Sequence, residues 1–419
     1  MLAIPVACVV ASAGGHLATR LFAQRTDAFV QSRDHPAIDY TKGSVATHVD
    51  ELNRKLEQGQ TRLAFEDETG YLRSTLAALD IPIESQVAVF AQNSFQAPRI
   101  NMTNPRVLFF NDAVAVGYVR GGTVIEVAAL DPQQGAIFYT LDQTVDVVPA
   151  FKRNDGCLAC HLSWTTLGVP GFFVMSMQTL PDDKNAYASG FASDHRTSFD
   201  SRWGGWFVTG RLGSIRHLGN RPVSTASTVA EVVPEARELA SLSERFDTAG
   251  YLSAQSDVAA LMVLEHQTHA ANLITRLGWE ARVVGPVKAA NDERVRDAAA
   301  DLVDYLLFVD EPPLPDKIRS LSGFVERFAA RGPTDGKGRT LRELDLNRRL
   351  MRYPCSYMVY SDAFDALPDS ARALVYRRLW RILSGLETGP RYASLSAVDR
   401  RSLIEILRDT KKGLPDYFR

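Results

Sequence analysis

This chain of 419 residues has little cysteine: four in all, Cys8, Cys157, Cys160 and Cys355. That excludes a disulfide scaffold, which needs many more in a much shorter chain. There is no excess of charge, with 47 basic against 49 acidic residues. No basic footprint for nucleic acid or an anionic surface exists. There is no second C-x-x-C, no G-x-G-x-x-G after a strand, no G-x-S-x-G and no H-E-x-x-H. The dinucleotide, serine-hydrolase and metalloprotease readings therefore have no motif to rest on. Gly332 to Lys337 resembles a phosphate loop, but its glycine spacing is one residue short and Gly338 stands where Ser or Thr is required. No later segment is long and apolar enough to span a bilayer, so no integral membrane span is expected.

What is present is an ordinary folding composition, 45% hydrophobic and 23% charged, in a chain long enough for two domains. Residues 1–13 begin with a short apolar run ending Ala11-Ser12-Ala13, which reads as a cleaved signal peptide although no Lys or Arg precedes it. Residues 14–43 read as a leader or linker. Helical periodicity follows within 44–79. Five short β-branched or aromatic runs at 86–92, 107–110, 113–119, 123–130 and 135–141 are separated by turn signals and predict an antiparallel meander. Residues 150–222 are irregular, and from Ser227 onward the pattern is helix after helix. The expected fold class is α+β. It has a β-meander and an irregular segment within 44–222, then an all-helical C-terminal half over 223–419.

Within the irregular segment lies Cys157-Leu158-Ala159-Cys160-His161. Two thiols three residues apart can both lie along one porphyrin edge from a single helical turn, and the next residue can bring its imidazole to the iron. A redox dithiol belongs at a strand-to-helix junction in a βαβ unit, whereas here a polar loop precedes the pair. Zinc needs four ligands, and adjacent Cys160 and His161 are awkward partners. The motif resembles that of c-type cytochromes. The resemblance implies one covalent haem c on Cys157 and Cys160, His161 as proximal ligand, and electron transfer with a redox partner protein. It also implies assembly by haem maturation machinery in the periplasm or another exported compartment, which agrees with the signal-like start. The runs Arg202 to Gly210, Arg216 to Asn220, Leu264 to Thr268, Ser361 to Pro368 and Asp399 to Thr410 resemble a family of uncharacterised exported bacterial proteins with one C-x-x-C-H in a chain of this size.

The sixth iron ligand separates electron carriage from chemistry at the metal. Met175, Met177, His195, His217, His266 and His269 are the candidates. A helix over 258–277, capped by Ser256, would set His266 and His269 on one apolar face, with His266 on its more apolar side. His266 is therefore the preferred distal ligand. Arg153, Arg196 and Arg202 are candidates to pair with the haem propionates. The size of the chain leaves a haem-dependent, peroxidase-like oxidoreductase or a redox or gas sensor as alternatives.

Overall fold

The computed structural model describes residues 28–145, 148–177, 190–221 and 238–418. The expected signal peptide, and with it Cys8, lies outside the described residues.

The meander forms where the β-branched and aromatic runs stand between turn signals. Strands β1 (Val87–Val89), β2 (Arg106–Phe110), β3 (Val114–Val119), β4 (Val124–Asp131) and β5 (Gly135–Asp142) match the five apolar runs. Three shorter pieces follow: β6 (Phe151–Arg153), the hairpin β7 (Val174–Met177) and β8 (Gly190–Ser193), and β9 (Trp206–Phe207). One seven-stranded antiparallel sheet runs β6-β5-β4-β3-β2-β1-β9, while β7 and β8 pair separately. Side-chain oxygens fix the turns. Asn111 Oδ1 accepts from the amides of Ala113 and Val114. Asp131 Oδ1 accepts from those of Gln133 and Gln134, ahead of Gly135 at φ +85°.

Because strand side chains alternate, Val107, Phe109, Val116, Ile125, Val127, Ile137 and Tyr139 share one face. They pack in one core with α1 (His48–Glu57) and α2 (Leu72–Ala78). Residues 28–43, expected as a linker, are irregular but packed: Phe29, Ile38 and Tyr40 are buried. Phe29 meets Trp279 edge-on at 5.2 Å.

The motif turn is α3 (Leu158–His161). Next comes the long helix α4 (Val258–Val284), buried over almost its whole length. Its N-cap is Asp257, not Ser256: the carboxylate accepts from the amides of Ala259 and Ala260. Ser256 instead ties the sheet, accepting from Ala88 N and donating to Phe207 O. The remaining helices are α5 (Pro286–Ala289), α6 (Glu293–Leu306), α7 (Phe324–Ala329), α8 (Asp362–Asp365), α9 (Asp369–Leu383) and α10 (Ala397–Thr410). An antiparallel β-sheet region followed by a helical half is thus the observed α+β architecture. Two features sharpen it. Between α6 and α8 the chain is mostly loop, with α7 as its only α-helix. The larger core joins Val87, Val89 and Trp206 of the sheet to α4, α6, α9 and α10, so the core does not divide near residue 222. No helix among the described residues is long and apolar enough to cross a membrane.

Candidate functional site

The five motif residues fold as one turn because their neighbours stop the chain on both sides. Asn154 caps the approach by accepting from Gly156 N. Leu158 is buried and anchors the turn to the α1–sheet core. Leu162 leaves the helix, and Leu167 at φ +60° with Gly168 at φ +74° turns the chain back. Gly168 has no room for a side chain, since a Cβ there would lie 2.2 Å from the Phe29 carbonyl oxygen. That return carries Gly171 to the motif. Its amide donates to the His161 carbonyl at 3.0 Å, and its carbonyl lies 2.9 Å from His161 Nδ1. A carbonyl only accepts, so Nδ1 carries the proton and Nε2 keeps its lone pair.

The His161 ring lies between Phe138 of β5, at 4.8 Å, and Phe173, at 5.1 Å. Burial, partly offset by the Gly171 carbonyl, pulls its pKa down and keeps the imidazole neutral. Cys157 and Cys160 are free thiols, Cys157 half-buried and Cys160 exposed. Burial is the main cause of a raised Cys157 pKa. Cys355 is fully buried and its thiol is pushed up to about 12, so it is inert by comparison.

These features fit a covalent haem. Both thiols are unpaired on one turn, and the following imidazole is neutral and oriented through Nδ1, as a metal-bound histidine is by a carbonyl partner. The sheet face beside it is only partly covered. Phe138 pairs with Ala128 and Ala128 with Ala115, while Gly117 pairs with Glu126 and Leu108. Leu108, Ala115, Glu126 and Ala128 are only half-buried. Small, half-buried residues at 115 and 128 thus form a floor next to the motif, with Gly117 covered by the Arg106 side chain. Cys157, Cys160 and His161 would hold the group. Among the described residues no three His, Cys, Asp or Glu side chains converge to hold a metal ion.

The other sequence candidates fall elsewhere. His266 is on α4 but deep in the core. Its Nδ1 is 2.8 Å from His195 Nδ1 and its Nε2 is 2.6 Å from Ser356 Oγ. Its ring stacks on Phe308 at 4.4 Å and on Tyr305 at 5.1 Å. As placed, His266 has no ring nitrogen free for an iron. His195 is buried with it, and only its Nε2 lacks a partner. His269 Nε2 meets Arg196 Nη2 at 3.1 Å, and His217 Nδ1 accepts from Gly219 N. Met177 is a core residue, whereas Met175 is half-buried on the same strand face as Phe173.

The three arginines named from sequence are already engaged. Arg153 bonds Asp155 at 2.8 Å and the Tyr40 carbonyl at 3.0 Å. Arg196 holds Asp194 at 2.6 Å, and Arg202 is buried against Glu265 at 3.4 Å and the His195 carbonyl at 2.8 Å. Burial raises the Glu265 pKa, with Arg202 and Ser193 pulling the other way. Sequence reasoning missed Phe138, Gly171, Phe173, Arg106 and Glu126. The Val169-Pro170-Gly171 turn was visible, but its return to His161 was not. No protein family matches this chain, and neither a curated protein nor a solved structure is similar to it.

Proposed function

We propose that the chain is an exported c-type cytochrome that carries one covalent haem on Cys157 and Cys160, uses His161 as its proximal ligand, and passes electrons to a partner protein. The observation that carries the reading is the hydrogen bond between His161 Nδ1 and the Gly171 carbonyl, on the same turn that presents two unpaired thiols. The bound haem would supply one-electron chemistry. The protein's part is to attach it through two thiols, fix the imidazole tautomer through Gly171, and shield one side with Phe138 and Phe173.

A second reading, a haem-dependent oxidoreductase or sensor, is favoured by one observation. His195, His217 and His266 are buried, His269 is half-buried, and all four are hydrogen-bonded within the protein. That leaves them poorly placed as a strong sixth ligand, and an open sixth position permits chemistry or gas binding.

The test is expression of the full chain together with bacterial haem maturation machinery, followed by extraction with acidified acetone. The colour is expected to stay with the protein and to be absent from a Cys157→Ser/Cys160→Ser variant. Colour that leaves with the solvent overturns the covalent reading. A low-spin iron in both oxidation states supports electron transfer, and a high-spin ferric iron that reacts with peroxide supports the second reading.

A further inference from the structure

Arg106 differs from every arginine discussed above. It starts β2 on the half-open sheet face, the face that carries Phe138 under His161. The register shows this directly: Phe138 pairs with Ala128, two residues from Glu126, which pairs with Gly117, which pairs with Leu108, two residues from Arg106. Neighbouring strands lie ~4.8 Å apart, so the face from β5 to β2 spans about 14 Å. The Arg106 and Glu126 charges both act on His161 and on Cys157.

The guanidinium is held by one carboxylate. Arg106 Nη2 forms an ion pair with Glu126 Oε2 at 2.9 Å. Glu126 does not rely on it alone, since its Oε1 also accepts from Ser94 Oγ at 2.7 Å and Gln96 Nε2 at 2.9 Å. Arg106 Nε is buried with no hydrogen-bond partner. A buried N–H donor without an acceptor is costly, by about 1–3 kcal/mol, and such atoms are rare enough to ask what meets them. The side chain lies across Gly117, where an added Cβ would come within 2.9 Å of Arg106 Nε and 3.2 Å of a Leu108 methyl. Glycine at 117 is what lets the guanidinium lie flat on the sheet. Glu126 therefore holds the guanidinium through Nη2, and the neighbouring Nε–H is the donor left without an acceptor, one that a second carboxylate can meet.

We infer that Arg106, positioned by Glu126 and Gly117, binds a carboxylate of the porphyrin attached at Cys157 and Cys160; this rests on the covalent-haem reading. Arg106 is the charged group across the floor from the motif, so attachment at one end and a carboxylate contact at the other would fix the porphyrin on this face.

The test uses the full haem-loaded chain, comparing wild type with Arg106→Gln, Glu126→Gln and Gly117→Ala. Removing the guanidinium should leave the haem acid-stable, shift the propionate bending bands in resonance Raman, and move the midpoint potential negative. Glu126→Gln should move the potential positive. Gly117→Ala keeps both charges but displaces the guanidinium, so it should shift the same Raman bands, and it carries the test if Arg106→Gln does not fold. Propionate bands that coincide with wild type in Arg106→Gln, or in Gly117→Ala should that variant stand alone, overturn this proposal and leave the haem reading intact. A wild-type chain without acid-stable haem overturns both.

Discussion

His161 and His266 lie in the same protein, both neutral and both flanked by aromatic rings, yet their surroundings prepare them for opposite tasks. His161 is held by one nitrogen: Gly171 takes Nδ1, and Phe138 and Phe173 hold the ring while Nε2 makes no hydrogen bond among the described residues. His266 is held by both, with His195 on Nδ1, Ser356 on Nε2 and Tyr305 donating to its backbone carbonyl. The first arrangement orients a ligand. The second makes a polar knot inside α4, where each member satisfies another and the low dielectric penalises any loss. A buried histidine on an apolar helix face is therefore ambiguous by type; the number of ring nitrogens already engaged decides what it can do.

The comparison breaks most sharply on paired variants. His161→Ala should abolish the native haem spectrum, because the turn then presents thiols but no proximal imidazole. His266→Ala should leave that spectrum unchanged, and a changed axial signature in the haem-loaded variant would show that His266 reaches the iron after all. Next in size is the ion pair beneath the knot. Arg202 and Glu265 are both almost fully buried, and Arg202→Leu leaves a carboxylate without its cation. Breaking such a pair costs about 3–5 kcal/mol, which denaturant titration would read; a loss under 1 kcal/mol would mean the pair contributes nothing specific. His266→Ala should cost somewhat less, about 3 kcal/mol, from lost packing and from leaving Ser356 and His195 without their partner.

The contrast also explains what sequence could and could not show. The motif was legible because its chemistry lies in five consecutive residues, and β2 to β5 were legible because β-branched or aromatic runs of five to eight residues stand between turn signals. Strands β6 to β9 are two to four residues long, too short to show a period. The knot was legible only as a direction. Helical periodicity placed His266 on a buried face, but its partners come from 71 and 90 residues away, and periodicity fixes where a side chain points rather than what meets it. The engagement of the arginines was no more legible: Asp194, two residues before Arg196, and Glu265, 63 residues from Arg202, hold them. Arg106 joins the motif face only through the register of four strands, and no local pattern encodes that. At the α4 N-terminus, Ser256 and Asp257 are both good caps, and the choice fell to Asp257 because the Ser256 hydroxyl is needed between β1 and β9.

Per pH unit the smallest expected effect is a slope, and it measures how dry the knot is. Burial pulls His269 down to about 4 and His266 to about 3, in each case with Asp194 opposing it. In the unfolded chain these imidazoles titrate near 6.5. Between that value and about 4 the unfolded chain takes up a proton that folded His269 refuses. Stability is therefore full above pH 6.5 and falls as the pH drops, by about 1.4 kcal/mol per pH unit for each such imidazole. Glu311 works the other way. Its pKa is raised to about 7 by burial, so the folded chain holds a proton the unfolded one releases, and this contribution weakens as the pH rises from about 4.5 to 7. His269→Gln cancels the Glu311 contribution from the comparison, because both proteins contain it. Wild type should lose stability relative to the variant from pH 6.5 down to 4 with the slope of one proton. Parallel pH profiles would mean that water or a rearranged Asp194 accommodates the charge, and that the knot is softer than its hydrogen bonds imply.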